Sequence, residues 1–320
     1  MDLKEFLDEW HNESPTLLVH TSGSTGKPKP MLVEKRRMEA SARKTCEFLG
    51  LCEGDAALLC MSLDYIAGKM MVVRSITCGL RLISVPPSGE PMKTVTEPID
   101  FAAMVPMQVF NSLKDPIQRE RLRQVRHLII GGGAVDEELA AELRDFPNAV
   151  WSTYGMTETL SHIALRRLNG PDASDWYTPF EGVAVSLTDE GCLVVDAPAV
   201  HDGVLVTNDI AELSDKGFRI LGRKDNTICS GGVKIQAEEV ERLLRAHLRE
   251  PYLISKRPDP KFGEAVVLLT QSPDLHVVEA VCRRVLPKYW QPRHYVHVDN
   301  IPLTATGKPA RHEAERLAAE

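Results

Sequence analysis

The stretch 127-HLIIGGGAVDEELAAELRDF-146 decides the fold class of this chain. Its apolar start predicts a strand, the three glycines predict a tight turn, and the run after Asp136 has helical spacing. Asp136 suits the N-cap of that helix, and the two glutamates after it suit the first turn. A strand that leads through a short turn into a helix is typical of layered α/β proteins. The glycines lack Gly-x-Gly-x-x-Gly spacing, so they do not predict a dinucleotide-binding fold.

On either side of this unit the chain follows two different patterns. Strand-like runs alternate with helical patterns through the first half, and a β-rich part follows at about 181–223. Beyond a charged stretch at 223–226, a helix over 237–250, further strands and a last helix from about Arg311 predict a small α+β module. We therefore predict an α/β protein with a large layered domain over 1–223, which includes the β-rich subdomain, and a small C-terminal domain over 224–320.

Composition excludes several classes of protein. Of the 320 residues, 43% are hydrophobic and 26% are charged, and the net charge of -7 gives no basic field for nucleic acid or anionic membranes. The most apolar run, 56–73, is interrupted by Asp64 and Lys69, and the acidic N-terminus is not a secretion signal, so we expect no membrane span. Seven scattered cysteines without Cys-x-x-Cys predict buried thiols of a reducing compartment, which we take to be the cytoplasm. Ten histidines without metal-ligand spacing do not predict zinc.

A glycine-rich loop, 21-TSGSTGKPKP-30, joins two strand-like runs, 16–20 and 31–35. Its hydroxyls, flexible backbone amides and lysine suit a phosphate group. The spacing differs from the nucleotide-binding loop that precedes a helix, and the two prolines disfavour an immediate helix start. The phosphate-binding candidates are Thr21, Ser22, Gly23, Ser24, Thr25, Gly26 and Lys27. The structural alternative is a plain hairpin turn.

Another loop, 154-YGMTE-158, follows a strand and carries three groups that suit a nucleotide. The ring of Tyr154 suits a base, the hydroxyl of Thr157 suits a phosphate, and Glu158 suits Mg²⁺, which prefers carboxylate and phosphate oxygens. The glycines at 131–133 place a helix start beside a flat ligand. Taken alone, 154–158 is more typical of an ordinary loop, and the glycines at 131–133 are equally typical of a tight turn between strand and helix.

Charged residues near later turns are further candidates. Asp209, after a β run, suits the two hydroxyls of a ribose, while Arg223 and Asp225 lie in one charged turn. Lys308 lies at the centre of a second Gly-Lys loop, 302-PLTATGKPAR-311. Considered singly, each of these residues is more typical of a solvated turn.

The order of these motifs is more specific than any one of them. Together with 222-GRKDNTICSGGVKIQAEEVE-241, the series resembles the adenylate-forming superfamily of acyl-CoA synthetases, adenylation domains and luciferases over nearly the whole chain. The resemblance implies a mobile C-terminal domain and two half-reactions that use ATP, Mg²⁺ and coenzyme A. In the first, a carboxylate attacks the α-phosphate of ATP to give an acyl-adenylate and pyrophosphate. In the second, the thiol of coenzyme A attacks the acyl carbon.

The resemblance also implies a role for each motif residue. The first loop would hold the β- and γ-phosphates, and Lys308 would bridge the carboxylate and the α-phosphate. Gly132, Gly133, Ala134 and Tyr154 would frame the adenine, Asp209 and Arg223 would hold the ribose, and Thr157 and Glu158 would serve the α-phosphate and Mg²⁺. Asp225 matches the hinge, and Ser230, Gly231 and Gly232 would line the coenzyme A channel.

Within the superfamily, the chain most resembles the short o-succinylbenzoate–CoA ligases of menaquinone synthesis. These enzymes carry a segment like 63-LDYIAGKMMVVRSITCG-79, in which the residue matching Arg74 binds a carboxylate of the diacid, and His162 would lie near the acyl pocket. The alternatives for Arg74 are a solvated helix face or an ion pair with an acidic residue of the protein such as Asp64. We expect Lys69 at the surface.

Two departures and two other functions remain open. Asn208 stands where the superfamily commonly has glycine, and most relatives carry a long region before the first loop, so we expect a minimal form or a more open acid pocket.

The other functions are a CoA ligase for another aryl or fatty acid and a non-catalytic nucleotide-binding relative. The non-catalytic relative is disfavoured by the joint presence of Lys27, Glu158, Asp209, Arg223 and Lys308. The expected partners are small molecules, with a homodimer as an option.

Overall fold

The computed structural model describes residues 1–20, 30–304 and 309–320. The chain forms two compact units. The first comprises Met1–Ser186, Val194–Leu205 and Leu213–Arg219, and the second comprises Leu187–Leu193, Val206–Glu212 and Ile220–Glu320. No helix in these described residues is both long enough and apolar enough to cross a bilayer.

The first half of the chain alternates strands and helices, as predicted. In chain order the elements are α1 (Leu3–His11), β1 (Thr16–His20), β2 (Pro30–Glu34), α2 (Lys35–Leu49), β3 (Ala56–Leu59), α3 (Ile66–Cys78), β4 (Arg81–Ser84), β5 (Phe101–Met104), α4 (Pro106–Lys114), α5 (Pro116–Arg123), β6 (His127–Ile130), α6 (Glu137–Leu143), β7 (Ala149–Gly155), β8 (His162–Arg167) and β9 (Thr178–Pro179). Asp136 caps α6, since its side chain accepts a hydrogen bond from the backbone N–H of Leu139.

A seven-stranded sheet forms the centre of the first unit, in the order β4-β3-β5-β6-β7-β8-β9. The neighbours from β4 to β7 pair in parallel, and β8 and β9 are antiparallel additions. Strands β3 and β5 are buried along their whole length, which is typical of parallel strands covered on both faces. Because the strands from β4 to β7 run in one direction, the loops after β6 and β7 leave the sheet at the same edge.

Helices α2 and α3 pack together in the first unit. α2 stops at Gly50, which has a φ of 64°, the left-handed conformation that glycine adopts readily after a helix. α3 is buried over most of its length, Lys69 included, so the prediction that Lys69 lies at the surface is wrong. Its ammonium donates to the carbonyl of Leu18 over 3.0 Å, which provides the polar partner that a buried amine requires.

Strands dominate the next part of the chain, as predicted for 181–223. They are β10 (Ala184–Leu187), β11 (Cys192–Asp196), β12 (Val204–Ser214) and β13 (Gly217–Arg223), and they form one sheet in that order. The C-terminal elements are β14 (Thr227–Ser230), β15 (Val233–Gln236), α7 (Ala237–Leu244), β16 (Tyr252–Asp259), β17 (Gly263–Thr270), α8 (Leu275–Val285), β18 (His294–His297) and α9 (Arg311–Ala319). Strands β14 to β18 form a separate five-stranded sheet, which has its own apolar core against α7 and α8.

α7 is shorter than the helix predicted over 237–250. After Leu244 the chain turns, and the backbone N–H groups of His247 and Leu248 both bond to the Leu244 carbonyl. Leu248 packs on the core beside α7, and Pro251 disfavours a helical conformation at the residue before it. Packing and proline thus end a helix that side-chain spacing alone would extend.

Candidate functional site

Part of the predicted site lies outside the described residues. This applies to the phosphate loop Thr21–Lys27 and to Lys308, so their roles stay predictions. The remaining predicted residues lie in two groups, one in each compact unit.

The predicted adenine residues lie at the edge where β6 and β7 end. Gly132, Gly133 and Ala134 follow β6, and Tyr154 is the penultimate residue of β7, the parallel neighbour of β6. The ring of Tyr154 is mostly buried, edge-on to Phe218 at 4.9 Å. The structure thus brings these four residues to one edge of the sheet and fixes the tyrosine ring within an aromatic cluster.

A short 3-10 helix, Thr157–Thr159, follows β7, and its first two residues differ in solvent exposure. Thr157 is buried, whereas Glu158 is exposed and forms no ion pair with any residue that the structure describes. The Thr159 hydroxyl accepts from the Met156 N–H over 3.0 Å and lies 2.8 Å from the Ser161 carbonyl, which holds the turn closed. Leu160, with a φ of 65°, completes this sharp turn.

Gly155 allows the two ends of this turn to touch. A Cβ at Gly155 would overlap the carbonyl oxygen of Ser161 and would lie 2.5 Å from His162 Cα. The register between β7 and β8 shifts at this point. Glycine is therefore required at position 155 for this close backbone approach. The approach places Ser161 and His162 directly beside the turn that carries Thr157 and Glu158.

Arg74 lies on α3 and is buried, with 2% of its surface exposed. Its Nη2 donates to Ser161 Oγ over 2.6 Å, and its Nη1 lies 3.8 Å from the sulfur of Met71. The Nε has no hydrogen-bond partner among the described residues, and no Asp or Glu in those ranges forms an ion pair with this guanidinium. Both alternatives for Arg74 are therefore wrong, since the residue is not solvated and Asp64 pairs instead with the N-terminal amine at 3.0 Å.

Burial lowers the pKa of Arg74 to about 10, so the side chain stays charged at neutral pH. A buried charge without a carboxylate is costly to the fold. An arginine held in this way is suited to bind a carboxylate of a ligand in a two-pronged geometry.

His162 starts β8 and is buried beside Arg74. Its Nδ1 lies 3.2 Å from Ser161 Oγ, and its Nε2 lies 3.1 Å from Thr45 Oγ1 on α2. Burial, and next the charge of Arg74, hold the pKa of His162 well below its ordinary value, so the ring is neutral. The structure thus brings together the two predicted acid-site residues through a serine.

The predicted ribose residues meet in the second unit. Arg223 Nη1 donates to Asp209 Oδ1 over 3.2 Å, and Arg223 Nη2 donates to Asp225 Oδ2 over 3.1 Å. Asp209 lies on β12, Arg223 ends β13, and Asp225 lies in the 3-10 helix Lys224–Asn226. One arginine therefore links the predicted ribose carboxylate to the predicted hinge.

The predicted coenzyme A residues form the hairpin between β14 and β15. Ser230 is paired with Val233, and Gly231 and Gly232 between them have φ values of 59° and 81°. Positive φ at both central positions is typical of the tight turn that twisted antiparallel strands require. The turn explains both glycines structurally, and their channel role stays a prediction.

Two residues of the first group were missed from the sequence. Ser161 adjoins His162, and its hydroxyl lies between Arg74 and His162. Thr45 belongs to a helical run and carries no motif, so its contact with His162, 117 residues away, has no signal in the sequence.

Comparison with known proteins gives consistent similarities. The profile of the family described as AMP-binding enzyme matches residues 4–206. The 2-succinylbenzoate–CoA ligase of Bacillus cereus is 26% identical over 348 aligned positions, which cover 98% of this chain and 72% of that protein.

Solved structures show the same similarity. The acyl-CoA synthetase (AMP-forming)/AMP-acid ligase II-like protein of Dyadobacter fermentans is 32% identical, with a TM-score of 0.68 over 97% of this chain and 91% of its own. The o-succinylbenzoate coenzyme A synthetase of Bacillus subtilis, solved with ATP and magnesium ion, gives a TM-score of 0.76 at 24% identity over 92% of this chain and 69% of its own. These similarities confirm the fold class predicted from the sequence.

Proposed function

The chain belongs to the AMP-binding enzyme family, and from this premise we propose that it is an ATP-dependent acid–CoA ligase whose acid is o-succinylbenzoate. The enzyme class, an AMP-forming acid–thiol ligase, follows from the family and from the 32% identity to an acyl-CoA synthetase-like chain. The acid is the part that we propose. It rests on relatives named 2-succinylbenzoate–CoA ligase, such as the 26% identical protein of Bacillus cereus, and on one feature of the first unit.

The observation that carries the acid assignment is the buried guanidinium of Arg74. It bonds to Ser161, three residues after Glu158 in the chain, and no described carboxylate pairs with it. A monocarboxylic fatty acid has no group to pair with this charge once its own carboxylate faces the ATP. A diacid has a second carboxylate for the guanidinium, and the bond that forms is charge-assisted.

The nucleotide contacts are proposed residue by residue. Glu158 is exposed and unpaired among the described residues, so its carboxylate fits a hard cation that also binds phosphate oxygens. When bound, Mg²⁺ neutralises charge on the phosphates. Thr157 would donate to the α-phosphate, and Lys308 would stabilise the charge that develops there during attack.

The second half-reaction requires a rearrangement of the site. A carboxylate is already ionised, so the first step needs positive charge rather than a strong base. For the second step Lys308 has to leave and a thiol has to enter. We propose that 224–320 moves as one domain about Asp225, whose carboxylate binds Arg223 at 3.1 Å, because one loop residue can absorb such a change.

A panel of acids with ATP and coenzyme A tests this function. The panel pairs o-succinylbenzoate with 4-oxo-4-phenylbutanoate, which lacks the ring carboxylate, and adds benzoate and a medium-chain fatty acid. We expect the highest kcat/KM for the diacid, measured as pyrophosphate release and as thioester mass. Strong turnover of benzoate or the fatty acid without any diacid thioester would assign a different ligase. No thioester and no AMP from any acid would indicate a non-catalytic relative.

A further inference from the structure

Three buried side chains and the partly buried Ser161 connect α3, the turn before β8 and α2 by hydrogen bonds. Arg74 Nη2 lies 2.6 Å from Ser161 Oγ, Ser161 Oγ lies 3.2 Å from His162 Nδ1, and His162 Nε2 lies 3.1 Å from Thr45 Oγ1. Thr45 in turn donates to the Ser41 carbonyl over 3.2 Å. Arg74, His162 and Thr45 are each at least nine-tenths buried.

The directions of these bonds follow from counting protons. Arginine has only donors, so Ser161 accepts from it and keeps its own proton to donate to His162 Nδ1. At the other end the single proton of Thr45 goes to the Ser41 carbonyl, so Thr45 accepts from His162 Nε2. Every donor then has one acceptor. In the opposite tautomer Ser161 would accept twice, and its own proton would have no partner in this chain of contacts.

We propose that Ser161, His162 and Thr45 form a relay of hydrogen bonds that positions Arg74 for the second carboxylate of a diacid, with His162 in its neutral Nε2–H form. The relay rests on the proposed function, and it refines the role of His162, which the resemblance places near the acyl pocket. His162 becomes a positioning residue that acts through Arg74 and does not contact the acid.

The surroundings of His162 support this role. Both ring nitrogens are within hydrogen-bond distance of protein hydroxyls, and the ring meets Phe180 edge-on at 5.4 Å. A cavity beside the ring, also lined by Ser41 and Phe180, has a volume of about 10 Å³. That space is about enough for one water, not for an aromatic acid. The buried Nε of Arg74 has no hydrogen-bond partner among the described residues, and Nη1 has only the weak acceptor sulfur of Met71 at 3.8 Å, so both are donors that a carboxylate would satisfy better.

The test uses three variants of the full chain. Thr45→Val removes the acceptor of the His162 Nε2–H at nearly constant volume, Thr45→Ser restores it, and Ser161→Ala breaks the relay next to Arg74. The matched control is Ser112→Ala, because the buried Ser112 hydroxyl also donates to the carbonyl four residues back, at 2.8 Å, and forms no hydrogen bond with a histidine in the part of the chain that the structure describes.

We expect Thr45→Val and Ser161→Ala to raise KM for the diacid about tenfold, while KM for ATP and KM for 4-oxo-4-phenylbutanoate stay within twofold. Thr45→Ser and Ser112→Ala should behave like the wild-type chain. Equal losses for the diacid and the monoacid would overturn the relay, since a general packing defect acts on both. If Thr45→Val fails to fold, Ser161→Ala decides by the same comparison.

The tautomer gives a second readout that needs no substrate. In a ¹⁵N-histidine-labelled chain, with the His162 signal assigned by a His162→Gln variant, we expect a protonated Nε2 and a bare Nδ1, and a shift toward Nδ1–H in Thr45→Val. An Nδ1–H ring in the wild-type chain would overturn the proposal. If the wild-type chain turns over no diacid, the proposed function is wrong. The histidine spectra of the wild-type chain and of Thr45→Val then still support or overturn the hydrogen-bond relay.

Discussion

Arg311 and Glu241, 70 residues apart, form a two-pronged ion pair with distances of 2.7 Å and 2.9 Å. Arg311 opens α9 and also donates to the Ile254 carbonyl over 2.8 Å, so it ties the start of α9 to α7 and β16. Lys308 precedes this anchor by three residues. The proposed catalytic lysine therefore lies in a segment whose far end is held by one mostly buried pair.

The first prediction follows from this pair. Arg311→Ala leaves Glu241 buried without its cation, so we expect the free energy of unfolding to fall by about 3 kcal/mol. We also expect slower acyl-adenylate formation, because the segment after Lys308 loses its anchor. Urea unfolding and pyrophosphate release measure the two effects. The control is Arg316→Ala on the same helix, whose pair with Glu313 is exposed and should contribute little to stability. Equal effects of both variants would contradict the role of the pair.

The second prediction separates stability from function at Arg74. Arg74→Met fills similar space without a charge, so the free energy of unfolding should be at least that of the wild-type chain. KM for the diacid should rise roughly 10- to 100-fold, as expected for the loss of a charge-assisted bond, while KM for ATP should stay unchanged. Arg81→Ala, at an exposed ion pair, is the control for loss of an arginine. An unchanged KM for the diacid would remove Arg74 from the acid site.

The third prediction concerns the close approach at Gly155. Gly155→Ala forces the new methyl group into the backbone of Ser161 and His162, so we expect a loss of about 1–3 kcal/mol in the free energy of unfolding. Gly133→Ala is the stability control, since its methyl group would meet Pro106 Cγ at an ordinary 3.5 Å. Thermal unfolding compares the two chains. A Gly155→Ala chain as stable as Gly133→Ala would show that β8 moves aside at little cost.

Much of this architecture follows from local chemistry. The end of α2 at Gly50 and the cap of α6 at Asp136 depend on residues within one turn, so their patterns predict them correctly. The family resemblance gives the order of the motifs and pairs Asp209 with Arg223, which lie 3.2 Å apart. Such features can be predicted from the sequence because the residues that cause them lie close together in the chain or belong to motifs that recur across a family.

Other features depend on contacts that no local pattern contains. From the sequence Lys69 is expected at the surface of its helix, but the Leu18 carbonyl on β1 accepts a hydrogen bond from its ammonium and permits burial. α7 ends early because Leu248 packs on a core formed by later strands. Thr45 meets His162 only after α2 packs in place. In each case the deciding partner is distant in the chain, so side-chain periodicity cannot identify it.

The fourth prediction is a pH dependence of stability that originates at His162. Burial holds its pKa below the ordinary value of about 6.5, so below that pH the unfolded chain binds a proton that the folded chain does not. This stability is fully present above pH 6.5 and is lost as pH falls toward the folded pKa, by at most about 1.4 kcal/mol per pH unit.

Because burial lowers the pKa of His127 and His294 in the same direction, the comparison for this fourth prediction has to be made with a variant. His162→Gln should show a shallower decline than the wild-type chain when urea unfolding is repeated at pH 7.5, 6.5 and 5.5. Parallel declines in the two chains would mean that His162 accepts a proton in the folded state.

The last prediction concerns the two half-reactions and Lys308. In the proposed function this lysine stabilises charge during attack on the α-phosphate and leaves before the thiol enters. Lys308→Ala should therefore abolish acyl-adenylate formation while thioester formation from supplied acyl-adenylate keeps much of its rate. Pyrophosphate release measures the first step, and thioester mass from synthetic acyl-adenylate measures the second. Lys288→Ala, at an exposed lysine of the same C-terminal region, is the control and should leave both steps unchanged. Equal loss of both steps in Lys308→Ala would assign the lysine to binding or folding rather than to adenylation.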